Sequence, residues 1–294
     1  MTTALKFRTL ALLFAIGTAT LAVGSGCHGG PATVMAELGE ANRLAADLRV
    51  QFNKAADASN RAVMAETDET SIAFANEAQQ TSAAVDRDVA ALSPLLHTLG
   101  LPDEIQVLDQ FGQRLSSYRD VDRTVLALAV ENTNLKAQRL SFGAARDAAD
   151  HFKATLVLAP DIAAKDRCRG ETLVGKALLA VRELQTLQGP HIASSDEAAM
   201  TAMEQQMAAL EAATADALTA LSGLVEPSAL SAAQADFTQF KSIGSQIVAL
   251  SRRNSNVRSL DLSLRVKPPL TAACDDSLRT LQQALASKGS KATR

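Results

Sequence analysis

The chain has 294 residues, a formal net charge of −3, one tyrosine and no tryptophan. That length can bury a sizeable core in one or two domains. The mild acidity and the shortage of aromatic rings offer neither an attractive field nor a stacking surface for bases, so no nucleic-acid partner is expected. Alanine is abundant, while glycine and proline gather at a few places, as in long helices packed on small side chains.

Residues 1–27 read as an export signal. Lys6 and Arg8 form a positive start, Thr9 to Val23 is uncharged and mostly apolar, and Gly24, Ser25 and Gly26 lead into Cys27. A cysteine directly after small residues resembles a bacterial lipoprotein signal, in which Cys27 becomes the lipidated first residue. Gly24 departs from that pattern, which usually has leucine there. The apolar run is short for a spanning helix, which needs roughly 20 residues, so ordinary cleavage and an uncleaved anchor are the alternatives. The expected location is the periplasmic side of the cell envelope, with the membrane as partner through the lipid.

A first helical repeat is expected over 34–160 and a second over 163–290. From Met35 to His97 the pattern is helical, and Gly100, Leu101 and Pro102 break it, with Pro102 placed to open the next helix. Leu108, Phe111, Leu115, Tyr118, Val125, Leu128, Asn132 and Leu135 then step by three or four along one helix face. Val125 to Ser141, VLALAVENTNLKAQRLS, recurs as Ile247 to Ser263, IVALSRRNSNVRSLDLS, at an offset of about 122 residues. Glu66 to Glu69 and Ser194 to Glu197 echo each other as polar, acidic helix starts. Further breakers stand at Phe142–Gly143, Pro160, Gly189–Pro190, Pro227 and Lys267–Pro268–Pro269.

The fold is all-α, and two arrangements fit. One is an elongated antiparallel four-helix bundle with two stacked layers, built from a duplicated helical hairpin. The other is two tandem four-helix bundles. Measured from hairpin tips near residues 100 and 227, the breaks fall roughly 36 to 41 residues down each rod, which agrees within about one turn at ~1.5 Å per residue. Breaks at one height favour the elongated form, with helices interrupted together at a waist. Cys168 and Cys274 would then share the lower layer, where an oxidising compartment lets a disulfide persist; two buried free thiols are the alternative.

Asn132 and Asn254 sit on the apolar stripe, where a buried amide fixes register or lines a ligand layer. Asn134 and Asn256 point elsewhere, as surface or interhelix groups. Arg139 corresponds to Asp261, which suggests an ion pair between the second and fourth helices. His191, beside Gly189–Pro190, belongs to the same level, so these five residues mark the waist as the first place to seek a small-molecule pocket. No cofactor or metal site is read from the scattered histidines and cysteines. No nucleophile-and-base motif, phosphate loop or helical His-Glu pattern is present, so an enzyme is not expected.

The shared pattern VLALAVENTN and IVALSRRNSN, in Ala-rich helices behind an N-terminal anchor, resembles the extracytoplasmic four-helix-bundle sensor modules of methyl-accepting chemotaxis receptors. Those receptors continue into a second membrane span, a linker module and a signalling coiled coil, for which the sequence has no counterpart. The resemblance therefore implies an anchored module that binds a small ligand or a partner protein, without the signalling. A structural cell-envelope lipoprotein with no ligand is the other reading.

Overall fold

The structure is a computed structural model that describes residues 31–157 and 162–292. The export signal and Cys27 lie outside the described residues. The fold is an all-α helical bundle, with no strand among the described residues. No helix among them is long and apolar enough to cross a membrane.

Helix α1 (Pro31–Val63) ends at a short turn, and α2 (Asp68–Thr98) folds back along it. The reversal follows from a strong helix start. Thr67 and Thr70 form a reciprocal capping box, and Asp68 and Glu69 place negative charge on the first turn. Gly100 (φ 65°) turns the chain into α3 (Pro102–Glu131), with Pro102 in the first turn. After the single residue Asn132 the helix resumes as α4 (Thr133–Leu140), a π-turn (Ser141–Ala145) and α5 (Arg146–Val157).

The second half repeats the plan. Helix α6 (Arg167–Ala193) is followed at once by α7 (Glu197–Ala220), whose start is capped by the Asp196 carboxylate accepting from the amides of Ala198 (2.8 Å) and Ala199 (3.1 Å). Helix α8 (Pro227–Arg253) passes through Asn254 into α9 (Ser255–Asp261), a second π-turn (Leu262–Val266) and α10 (Lys267–Ala292). Pro190 does not break its helix; α6 runs on to Ala193.

Two four-helix bundles result, and each is completed by the other half. Bundle one contains α1, α2, α3 and α10; bundle two contains α5, α6, α7 and α8. The core of the first surrounds Phe52, whose ring meets Phe111 at 6.0 Å and Tyr118 at 5.2 Å. That of the second holds Phe152 against Phe237 at 5.8 Å. The second and fourth expected rods do pass through the waist. The first and third instead reverse there, because Thr67 and Asp196 begin new helices. The tips near 100 and 227 accordingly lie in different bundles rather than side by side.

Candidate functional site at the helix crossing

Among the described residues, Asn132 (φ 48°, ψ 38°) and Asn254 (φ 54°, ψ 38°) are the positive-φ residues other than glycine. Asparagine tolerates the left-handed region better than most side chains, so one residue can offset a helix axis without ending the helix. Each resumed helix lacks a cap from its own side chains. The caps come from the opposite helix. Thr133 N donates to Ser255 Oγ (3.1 Å) and Ser255 N to Thr133 Oγ1 (3.0 Å). Asn134 N donates to Asn256 Oδ1 (3.1 Å), and Asn256 N to Asn134 Oδ1 (3.2 Å). Every one of these pairs is separated by 122 residues, so the repeated motif bonds to its own copy. The ion pair of Glu131 with Arg253 (2.6 Å) extends the pairing by one position.

Asn134 and Asn256 are thus at the centre of the crossing, as interhelix groups rather than surface ones. Asn134 Nδ2 donates to Asn254 Oδ1 (2.8 Å) and Ile192 O (2.7 Å), and Asn256 Nδ2 donates to Asn132 Oδ1 (2.9 Å). Both asparagines of the first copy are buried there, Asn132 at the left-handed position and Asn134 in the first turn after it. The recurrence of both asparagines in each copy was the available signal. The pairing is not fully symmetric. Asn254 Nδ2 donates to Ser194 O (2.9 Å), whereas Asn132 Nδ2 is buried with no partner among the described residues.

Arg139 and Asp261 do not pair. Arg139 reaches Asp68 at the start of α2 (3.3 Å), and Asp261 pairs with Arg265 on its own helix (2.9 Å). Equivalent positions beyond the crossing diverge into separate bundles, which is why the offset misleads there. The same divergence separates the cysteines. Cys168 is exposed at the start of α6 in bundle two, and Cys274 is buried in α10 of bundle one; both are free. Burial pushes the Cys274 thiol up to about 11.

His191 lies at the waist end of α6, fully buried. Its Nδ1 meets Ser251 Oγ at 2.8 Å and its Nε2 meets Glu204 Oε1 at 2.9 Å. The row holds hydrolase residue types, but the Ser251 hydroxyl is buried and donates to the carbonyl of His191 (2.8 Å), so it is not offered to a substrate. Arg252 holds the Glu204 carboxyl below the usual carboxylate range, with a further hydrogen bond from His191. Beside this cluster an open groove of about 640 Å³ is lined by Asn254, Asp261, Arg252 and Arg258, among others. Two of the five expected site residues therefore line it. Asn132, Arg139 and His191 do not.

Two further grooves were not foreseen. One, about 510 Å³, runs along α2 and α3; the other, about 350 Å³, lies where α7 and α8 meet α6. They are built from equivalent residues at the same offset: Arg119 and Lys241, Asp122 and Gly244, Leu126 and Val248, Ala127 and Ala249. Their inner ends differ. Asp122 Oδ1 accepts from the buried Lys267 (2.8 Å) and from Ser59 Oγ (2.6 Å), and Lys267 also donates to Ser59 Oγ (2.6 Å). Burial lowers the Lys267 pKa, and Asp122 opposes that shift. In bundle two the equivalent positions are Gly244 and Ala145, with no charge at all.

The sequence matches no protein-family model and no curated protein significantly.

Proposed function

We propose that this chain is an exported helical binding module, anchored through lipid on Cys27, that takes a small ligand in a seam between its helices. The observation that carries this reading is the recurrence of one groove in both bundles, at residues related by one offset. The helices α3–α5 and α8–α10 are shared by both bundles, so a change of packing in one seam is carried into the other. The likeness of VLALAVENTN and IVALSRRNSN to chemoreceptor sensor bundles supports the same reading. A small-molecule library tests it by thermal shift. A ligand at 100 times its Kd stabilises by about 2.7 kcal/mol, worth roughly 2–4 °C per kcal/mol in a chain of this size. A library-wide absence of shift refutes it. Mass spectrometry of the mature N-terminus tests the anchor: a diacylglyceryl group on Cys27 is expected.

A structural envelope scaffold is the second reading. It is favoured by the asparagine layer, whose side chains are spent on joining the two long helices. Under that reading a partner protein, and no small molecule, stabilises the chain.

A further inference from the structure

Resting on the binding-module reading, we propose that the groove of bundle two, and not its counterpart in bundle one, is the ligand site, and that it takes a compact uncharged molecule with an apolar body and a carbonyl oxygen. The two seams differ where they approach the core. In bundle one the carboxylate of Asp122 lines the groove and is bonded to the buried ammonium of Lys267 and to Ser59. The same two positions in bundle two are Gly244 and Ala145. A Cβ built on Gly244 meets nothing within 4 Å, so space stands where the other bundle has the Asp122 side chain, while Ala145 is packed in the core.

The walls of that space select the ligand. Leu184, Met207, Phe240 and Val248 supply an apolar surface. At 350 Å³ the groove falls at the small end of the ~300–1,000 Å³ typical of ligand pockets. Its charged groups are already matched: Glu211 pairs with Lys241 (3.5 Å), and Glu204 is held by Arg252 (2.5 Å) and His191. A charged ligand would have to break one of these pairs or go unpaired.

Two uncharged polar side chains line the groove, Gln188 and the exposed Ser245, and of these only the amide reaches in from the core. Gln188, 4% exposed, lines the groove and accepts at Oε1 from Ser141 Oγ (2.7 Å). Its Nε2 finds no partner among the described residues. That amide is left to donate into the groove, where water or a ligand oxygen can accept from it. A carbonyl oxygen on an otherwise apolar molecule takes that hydrogen bond without adding charge.

The test uses the full-length protein with acetophenone and benzamide as carbonyl probes, toluene as an apolar control, and benzoate and benzylamine as charged controls. Binding is read by thermal shift and by the NMR signal of the Met207 methyl group. The carbonyl probes are expected to bind saturably and to move that signal. Gly244→Leu, which fills the open space, should abolish both effects while keeping the helical circular dichroism. Gln188→Leu should weaken the carbonyl probes by about tenfold, the worth of one hydrogen bond, and leave toluene unchanged. If Gly244→Leu does not fold, Gln188→Leu and the Met207 signal decide the matter. Charged probes binding as tightly, binding that survives Gly244→Leu, or an unmoved Met207 signal would overturn the site. Binding elsewhere would leave the binding-module reading standing, which falls only if the whole library is silent.

Discussion

Replacing Asn254 by leucine separates two views of the crossing by the sign of the effect. If the asparagines were polar interruptions of an apolar seam, leucine would pack better and raise stability. The geometry requires the opposite. Leucine at φ 54° pays about 1–2 kcal/mol for the left-handed conformation. It also removes the acceptor of Asn134 Nδ2 and the donor to Ser194 O, which adds about 1–3 kcal/mol in this buried setting. The expected loss for Asn254→Leu is therefore about 2–5 kcal/mol. Asn132→Leu should lose about 1 kcal/mol less, because the Asn132 Nδ2 has no partner to give up among the described residues. Asn254→Gly keeps the backbone conformation accessible and isolates the side-chain part. Urea unfolding followed by circular dichroism measures all three. Leucine variants as stable as the parent, or more so, would refute reciprocal capping as the reason for the repeated motif.

Lys267→Met should cost about 3–5 kcal/mol, because it strands the Asp122 carboxylate; adding Asp122→Leu should recover most of that loss in the same urea assay. Because Arg252 and His191 depress the pKa of Glu204 in the folded chain, its contribution is present above the unfolded carboxylate range near ~4.3 and is lost as pH falls through the folded value. Urea midpoints taken from pH 7 down to pH 3 should fall through the acid range, and Arg252→Gln should flatten that fall. Peptide mapping after brief thiol labelling of the native protein should find Cys168 modified and Cys274 untouched, since the latter is buried with its thiol pushed up to about 11; a peptide joining the two would contradict the fold.

Much of this architecture was legible in local chemistry. Pro102 and Pro227 open helices, and the acidic starts after Thr67 and at Asp196 are true caps, but the crossing lies at Asn132 and Asn254, ahead of the breakers at Phe142–Gly143 and Lys267. What residue counting could not tell was direction. Two rods broken at equal distances from their tips meet at the break whether their tips lie together or apart, and only the latter puts α10 against α3 and α5 against α8. Nor does a weak spot in a helical pattern say whether the chain continues or reverses. Asn132 interrupts the helix for one residue, whereas Met64 to Thr67 is long enough to turn round. Of the expected waist residues, Asn254 and Asp261 line one groove and His191 bonds Ser251 beside it, whereas the proposed bundle-two seam was not legible. Its signature is an empty position, Gly244, and a missing side chain leaves no periodic mark.

Each bundle borrows one helix across the crossing, and this makes the two halves mutually dependent. Cut between α5 and α6, neither fragment could close its own barrel of helices, yet the two mixed together should recombine into the parent shape. A fragment expressed by itself would have to take the absent strut from a sister molecule, as an exchanged homodimer. Covalent continuity here does for one polypeptide what symmetry does for a pair.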